Sequence, residues 1–244
     1  MDDEGYRTLI DAAVDAGVSR FVYLSVSETP YDDRVPAFRA KRVNERRLRR
    51  SGMDYTILRS SLFIETWLAL IGSSVPIRGT EAALVERPYR FLRLFRRATG
   101  QLVERHGVAV LPGSGRTRHS FVAAADVAAF VAACADDPEP PDRVAEIGGP
   151  ESLSWDEVVD RCERVLGREV RAVHTTPAIY SVLERLLRPV SVPAANVMGL
   201  YLIAATTDTA GDASAVEARI GRPPVTVEAF LRRNVASDST RSHG

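Results

Sequence analysis

Lys41 is the only lysine in a sequence of 244 residues, in which every other long cationic side chain is an arginine. A lysine ammonium is a compact point charge whose pKa shifts readily on burial, whereas an arginine guanidinium is planar and stays protonated. The single lysine therefore reflects either chance or a position at which an arginine would not serve.

Polar side chains end two short apolar runs on either side of Lys41. The first run ends in Ser25, Val26 and Ser27, and the second ends in Arg59, Ser60 and Ser61. Each run is dense in β-branched and aromatic residues, which is typical of a buried parallel strand. Ligands of open α/β sheets bind beyond the carboxyl ends of such strands, so these six residues are the candidates for a binding site.

The elements around Lys41 form a predicted βαβ unit. The pattern predicts a strand over Arg20 to Val26, a helix from Pro36 to about Arg50 that stops at Ser51-Gly52, and a strand over Asp54 to Leu58. The crossover should be right-handed. A third parallel strand is predicted over Val144 to Ile147.

Other elements follow from periodicity and capping signals. The predicted helices include Tyr6 to Ala16, Val127 to Ala135 with Asp126 as N-cap, a helix opened by the capping box of Ser154 and Glu157, Ala178 to Leu187, and Val227 to Asn234. Short strands are expected at Val108 to Leu111 and His119 to Ala123. The apolar segment Val190 to Ala205 is too short and too interrupted for a transmembrane helix, and we expect a core helix or the wall of an apolar pocket.

Composition excludes several classes of protein. Lys plus Arg and Asp plus Glu are 32 each, so no global charge would attract nucleic acid. Cys134 and Cys162 lie in apolar helical patterns without metal-ligand spacing, so we expect inert thiols and no metal.

The N-terminus has no secretory signal pattern, which predicts a cytoplasmic protein. A basic amphipathic stretch, 86–104, is a solvated face or, alternatively, a peripheral contact with an anionic head group or phosphate.

Four stretches in order carry a family likeness: DxxGxxxLIDAAxxAGVxRFVYLS, FRAKRxxExxLRRSGMDYTILR, FVAAADVAAF and EIGGPESLSWDEV. Together they resemble the extended or atypical short-chain dehydrogenase/reductase superfamily. Within it they are similar to the NmrA-like NAD(P)-binding branch, which includes sugar-epimerase relatives, isoflavone-type reductases and the accessory NAD(P)-binding subunit of respiratory complex I. The likeness covers nearly the whole chain.

The resemblance implies an α/β fold: the C-terminal part of a doubly wound Rossmann-type parallel sheet with a smaller, mainly helical substrate domain. The implied NAD(P)-binding region is 1–61, to which 124–149 return. The substrate domain is 62–123 with 150–236, and 237–244 is expected to be a disordered tail.

The resemblance also implies roles for individual residues. Lys41 matches the lysine of a Tyr-x-x-x-Lys motif, which holds the nicotinamide ribose and lowers the pKa of the catalytic tyrosine. Ser25 matches a serine or threonine that can bond the substrate. The implied cofactor contacts, with NADP or NAD, are Ser25, Val26, Ser27, Lys41, Arg59, Ser60 and Ser61.

Two departures from the family pattern bear on activity. Ala37 stands four residues before Lys41, where the tyrosine is expected, and a general acid needs a titratable group within hydrogen-bond reach. Tyr31 is the nearby tyrosine that could substitute. The second departure is that no Gly-x-x-Gly-x-x-Gly turn occurs in the sequence, although this turn brings a pyrophosphate to a helix N-terminus.

The missing turn leaves three explanations and two functions open. The reading frame begins upstream, the chain is a degenerate remnant, or a dimer or partner chain covers the open edge of the sheet.

The complete form is predicted to be an NAD(P)-dependent oxidoreductase or epimerase-like enzyme. The alternatives are a non-catalytic dinucleotide-binding or assembly protein, or a remnant without cofactor. The substrate is expected to be a small molecule, hydrophobic or phosphate-bearing.

Overall fold

The central sheet consists of three parallel strands in the order β1-β2-β5. The computed structural model describes residues 3–75, 99, 101–137 and 143–241. In this part of the chain the first half runs through α1 (Asp3–Asp15), β1 (Arg20–Val26), α2 (Pro36–Arg50), β2 (Asp54–Ser60), α3 (Ile64–Leu70), a π-helical turn (Leu102–His106), β3 (Val108–Leu111), β4 (Arg118–Ser120) and α4 (Ala124–Asp136). The parallel βαβ unit predicted around Lys41 is confirmed.

The second half adds one strand to the sheet and a set of helices. Its elements are β5 (Val144–Ile147), β6 (Ser152–Ser154), α5 (Trp155–Leu166), β7 (Arg171–His174), α6 (Pro177–Leu187), α7 (Val192–Thr206), α8 (Ala213–Ile220) and α9 (Val227–Arg241). β3 pairs in parallel with β7, and β4 pairs antiparallel with β6, so each of these pairs forms a two-stranded sheet of its own. The expected α/β fold class, a Rossmann-type parallel sheet with many helices, is confirmed.

The apolar core has one large cluster and smaller ones. The large cluster packs α3, α5 and α7 against β3, and the ring of Trp67 contacts the rings of Trp155 and Tyr201. Smaller clusters cover the two faces of the central sheet, around Ile57 on one side and Leu58 on the other. The division into a cofactor region and a substrate domain at the predicted boundaries stays a prediction.

α7 shows how an apolar segment with a proline and a glycine remains helical. Pro193 lies in the first turn, where its missing N–H costs nothing. Gly199 faces α2, and a Cβ there would lie 2.7 Å from both methyl groups of Val35. Glycine therefore lets the two helices approach, and the predicted core helix is confirmed.

Several predicted details are wrong. Asp126 is not the N-cap of α4, because Ala123 holds that position and Asp126 lies in the first turn. The carboxylate of Asp126 instead binds the Val225 amide at 2.7 Å and Arg222 at 2.6 Å, which fixes a distant segment. β4 ends at Ser120 rather than Ala123, because Ala123 already caps α4.

The C-terminal helix is also longer than predicted. α9 continues to Arg241 rather than ending at Asn234, so 237–241 are helical where a disordered tail was expected. Residues 235–241 contain no proline or glycine that would break a helix. Residues 242–244 and most of the predicted basic stretch 86–104 lie outside the described residues.

Candidate functional site

The pleat of β1 and β2 sorts the candidate residues onto two faces. Register pairs Ser25 with Arg59 and Val26 with Ser60. Because successive side chains of a strand point to opposite faces, the first pair lies on one side of the sheet and the second on the other. The predicted site is therefore divided between the two faces.

A cavity of about 160 Å³ lies beyond the carboxyl ends of β1 and β2. Val26, Ser27, Ser60 and Ser61 form the wall on the side of the sheet. The rest of the wall comes from the loops after β1 and β2, from α2, α3 and α7, and from the segment after α7. Its residues are Thr29, Phe38, Leu62, Phe63, Thr66, Trp67, Leu200, Ile203 and Thr209. The wall is mostly apolar with a few hydroxyl groups, which is typical of a site for a small organic molecule.

Ser25 and Arg59 lie on the same face of the sheet, and both bind the carboxylate of Glu45 on α2. The Ser25 hydroxyl donates to Glu45 Oε1 at 2.6 Å, and Arg59 donates to both carboxylate oxygens, at 2.7 and 3.2 Å. Arg42 also donates to Glu45. Burial acts to raise the pKa of Glu45, but the hydrogen bonds from Arg59 and Ser25 and the charge of Arg42 outweigh it and lower the pKa. This network joins α2 to both strands.

Lys41 lies apart from the cavity. Its ammonium donates to the carbonyl oxygen of Leu24 at 2.6 Å and lies 4.9 Å from the ring centre of Tyr23. Burial lowers the pKa of Lys41 to about 8, against the Glu45 carboxylate, which raises it. Lys41 thus meets the backbone of β1, not a residue of the cavity wall.

Lys41 and Arg42 both bind the outer side of β1. The Ser19 carbonyl and the Ser27 amide bond to β2, and backbone groups alternate sides along a strand. The carbonyls of Leu24 and Val26 therefore point away from β2. Lys41 binds the first of these carbonyls and Arg42 binds the second, so two cations cover an edge that would otherwise be open to another strand.

A chain of hydrogen bonds runs from the cavity wall into the core. Ser61 Oγ lies 2.9 Å from Thr209 Oγ1, and Thr209 Oγ1 lies 2.9 Å from His119 Nδ1. His119 Nε2 lies 3.3 Å from the carbonyl oxygen of Ala204, near the end of α7. Burial lowers the pKa of His119 to about 4, although the Ala204 carbonyl and Asp208 act in the opposite direction.

The two candidate positions for a proton donor differ in their surroundings. Ala37 has no side-chain hydroxyl, and its backbone N–H donates to Asn196 Oδ1 at 3.1 Å, which joins α2 to α7. Tyr31 is not among the residues of the cavity wall. Its hydroxyl accepts a hydrogen bond from Thr206 at 3.3 Å. A catalytic role for Tyr31 stays a prediction.

A family model described as the NmrA-like family matches residues 4–229. The chain belongs to the NmrA-like family. This agrees with the NmrA-like resemblance that the sequence motifs carry.

The chain is similar to a curated protein in sequence and to several solved structures in fold. The photosystem II assembly factor Ycf39 of Cyanophora paradoxa is 24% identical over 186 residues, which are 76% of this chain. The chain spans about half, 48%, of the length of that relative. The NADPH complex of an Escherichia coli NADPH-dependent quinone oxidoreductase has a TM-score of 0.67 at 22% identity, over 93% of this chain and 70% of that one.

A second structure adds a different substrate to the comparison. The Citrobacter sp. triphenylmethane reductase complexed with NADP(H) has a TM-score of 0.66 at 16% identity, over 94% of this chain and 70% of that one. At these identities the structures show a common fold.

Of the seven predicted cofactor residues of this NmrA-like chain, the structure brings four to the cavity and leaves three elsewhere. The four are Val26, Ser27, Ser60 and Ser61, and the three are Ser25, Lys41 and Arg59. Sequence reasoning missed Thr209 and Trp67, whereas the predicted alternative of a pocket wall within Val190 to Ala205 agrees with the contribution of Leu200 and Ile203 from α7. Thr209 is 148 residues from Ser61, and no local signal in the sequence relates them.

Glu65 and the two cysteines are buried outside the cavity wall. Glu65 accepts a hydrogen bond from the Ala124 amide at 2.9 Å, so its carboxylate caps the start of α4. Cys134 and Cys162 are buried free thiols. Among the described residues no cluster of His, Cys, Asp and Glu is arranged to hold a metal ion, and no helix has the length and apolarity needed to cross a membrane.

Proposed function

We propose that this NmrA-like protein binds NADP or NAD and acts on a small molecule as an oxidoreductase or an epimerase-like enzyme. The observation that carries the proposal is the cavity at the carboxyl ends of β1 and β2, which is the position at which α/β sheets bind ligands. Its wall contains four of the residues that family resemblance assigns to the nicotinamide end of the cofactor.

The cavity fits one part of a dinucleotide. A volume of about 160 Å³ suits a single six-membered ring, and the serine hydroxyls of the wall are suitable partners for a carboxamide. A bound nicotinamide would supply the hydride chemistry. No Gly-x-x-Gly-x-x-Gly turn that would hold a pyrophosphate occurs in these 244 residues, so we propose that they contribute the nicotinamide side of the cofactor site.

Lys41 has a conditional role in this proposal. A contact between its ammonium and the nicotinamide ribose requires the side chain to leave the Leu24 carbonyl. Lys41→Ala should weaken NADPH binding by a few kcal/mol at most, in the range of a charge-assisted hydrogen bond. Unchanged affinity would remove Lys41 from the cofactor site.

The mostly apolar wall favours a hydrophobic substrate over a phosphate-bearing one. Among the described residues that line the cavity, none is a cation that would pair with phosphate, and the polar groups are hydroxyls. The cytoplasmic location stays a prediction from the N-terminal sequence.

Fluorescence titration with NADPH tests the proposal. The longest form that the reading frame encodes should bind NADPH with micromolar affinity if it contains a Gly-x-x-Gly-x-x-Gly turn, whereas the 244-residue chain should bind little or none. A form that contains the turn and still fails to bind NADPH would contradict the proposed function.

A second candidate function is that of an accessory or assembly protein without turnover. One face of α6 exposes apolar side chains at helical spacing: Ile179, Val182, Leu183 and Leu186, which are 49%, 53%, 37% and 65% exposed. Such a patch is typical of a protein interaction site. Ala37 in place of the catalytic tyrosine supports the same reading. A dimer or partner chain at the β1 edge stays part of this alternative.

The two functions differ in NADPH consumption. A form that binds NADPH should oxidise it in the presence of a suitable quinone or aldehyde if it is a reductase. Binding without oxidation across a panel of such acceptors would favour the accessory role.

A further inference from the structure

In the hydrogen-bond chain Ser61–Thr209–His119, the contact between His119 and the Ala204 carbonyl determines which group donates at each step. A carbonyl oxygen can only accept, so the His119 Nε2 that lies 3.3 Å from Ala204 O carries the proton. In the neutral ring Nδ1 is then an acceptor. This network assigns the tautomer.

The tautomer of His119 determines the donor in the other two hydrogen bonds of the chain, including the one at the cavity wall. Because Nδ1 accepts, the Thr209 hydroxyl donates to His119, and the Thr209 oxygen accepts from the Ser61 hydroxyl. The proton of Ser61 is therefore turned away from the cavity, and lone pairs of its oxygen remain on the side of the wall that a ligand would meet.

The surroundings of His119 hold this direction in place. His119 is fully buried, with the rings of Phe121 and Trp155 at centroid distances of 5.7 and 5.1 Å. The Ala204 carbonyl is one of the last in α7, where carbonyls lack partners within the helix. The Thr117 hydroxyl and the Trp155 indole also donate to it, at 2.6 and 3.1 Å, which fixes its position.

Other hydroxyls of the wall also direct their protons to protein acceptors. Each is a serine or threonine that lines the cavity and donates to an oxygen outside it. The pairs are Ser27 with Glu146 at 3.0 Å, Thr29 with Asp32 at 2.8 Å, and Ser60 with the Ser25 carbonyl at 3.4 Å. The polar part of the wall is thus rich in acceptors.

We propose that the cavity selects a ring-sized, largely apolar ligand that carries a hydrogen-bond donor, such as an alcohol or N–H group, and that His119, acting through Thr209, positions Ser61 Oγ to accept from it. This inference deepens the proposed function and rests on it in taking the cavity as a ligand site for one ring-sized group, either the nicotinamide ring or the substrate. His119 is a positioning residue, since it does not itself line the cavity.

A ligand that can only accept is disfavoured at Ser61. The oxygen of a ketone would meet the lone pairs of the serine, and turning the Ser61 hydroxyl toward the ketone would leave Thr209 without its donor. A site built for a hydrogen bond discriminates against an analogue that cannot make it, because a buried polar group is then unpaired.

Cyclohexanol and cyclohexanone are a matched pair of probes, since both are single rings but only the alcohol can donate. Ligand-observed NMR titrations with the 244-residue chain measure the two affinities. We expect the alcohol to bind about 3- to 10-fold more tightly, the range of one net hydrogen bond. Equal affinities, preference for the ketone, or no binding of either probe would overturn the proposal.

Variants at Thr209 separate positioning from folding. Thr209→Val removes the link to His119, so the alcohol preference should fall to about 1-fold, whereas Thr209→Ser keeps the hydroxyl and should keep the preference. An unchanged preference in folded Thr209→Val protein would overturn the proposal.

The tautomer of His119 provides a measurement on the unmutated protein. Long-range ¹H–¹⁵N NMR spectra at pH 7 should show a proton on Nε2 and a lone pair on Nδ1. A proton on Nδ1 would reverse the direction of the chain and overturn the proposal. Because neither NMR experiment involves NADPH, either inference can fail while the other stands.

Discussion

The ammonium of Lys41 donates a hydrogen bond to the backbone carbonyl of Leu24 at 2.6 Å. Leu24 lies in β1, which is an edge strand of the central sheet as far as the structure describes it. The position suits a lysine, because its compact ammonium fits between this carbonyl and the Tyr23 ring. An arginine would place a planar guanidinium there, which differs from an ammonium in shape and in the geometry of its donors. The lone lysine therefore has a structural role before any cofactor is considered.

Lys41 should titrate near pH 8, well below the ordinary value for lysine, because burial disfavours its charged form. Reductive methylation with ¹³C-formaldehyde labels the single lysine and the α-amino group, and the ¹³C shifts followed against pH give both pKa values. Lys41→Arg removes the lysine signal and so assigns it. A midpoint near 10.5 would show that the ammonium is exposed to solvent.

Glu45→Gln should destabilise the protein by up to about 3–5 kcal/mol, because it removes the buried carboxylate that Arg42 and Arg59 share. Arg42 then keeps Asp32 as a counter-charge, and Arg59 keeps only the more exposed Glu28 and Glu146. Glu28 binds the same Arg59 at 2.7 Å but is 64% exposed, so Glu28→Gln should cost less than about 1 kcal/mol. Urea unfolding at pH 7 measures both changes. Similar losses from the two variants would contradict the burial argument.

The same network should make stability sensitive to acid. The pKa of Glu45 is lowered in the folded state, so its contribution is complete above the pKa of the unfolded chain and is lost as the pH falls through the folded-state value. Glu45→Gln should therefore flatten the acid limb of the stability profile.

His119 should contribute a separate pH dependence between about pH 6.5 and 4. Its pKa is lowered to about 4, so in this window the unfolded state binds more protons and stability falls on acidification. A shift of this size corresponds to at most about 3 kcal/mol. His119→Gln should remove this slope, whereas His106→Gln, at an exposed site, should not. Unfolding free energies from pH 4.5 to 7.5 measure it, and equal slopes would contradict burial of neutral His119.

Gly199→Ala should destabilise the protein by about 1–3 kcal/mol, although alanine normally favours a helix by about 1 kcal/mol over glycine. The added Cβ would lie 2.7 Å from the Val35 methyl groups. Val35→Ala in the same chain removes those methyl groups, so the double variant should lose less stability than the sum of the single ones. Thermal unfolding of the four proteins gives the coupling, and additive losses would show that α2 and α7 adjust independently.

The sequence by itself determined the βαβ unit and its NmrA-like character. Apolar runs with β-branched residues, the Pro36 start and the Ser51-Gly52 stop are local signals, so they predicted β1, α2 and β2 almost to the residue. The same signals placed Ser27, Ser60 and Ser61 at strand ends, where the cavity lies. Capping by Ser154 and Glu157 was equally local and is confirmed.

Tertiary structure decided how the candidate residues are divided. Alternation along a strand implies that Ser25 and Val26 face opposite ways, but which face meets α2 and which meets α7 depends on contacts far apart in sequence. Only the fold shows that Ser25 and Arg59 bind Glu45, that Lys41 covers a strand edge, and that Ser61 reaches His119 through Thr209. These hydrogen bonds join residues from separate elements, and neither the hydrophobic periodicity nor the spacing of residues in the sequence predicts such pairs.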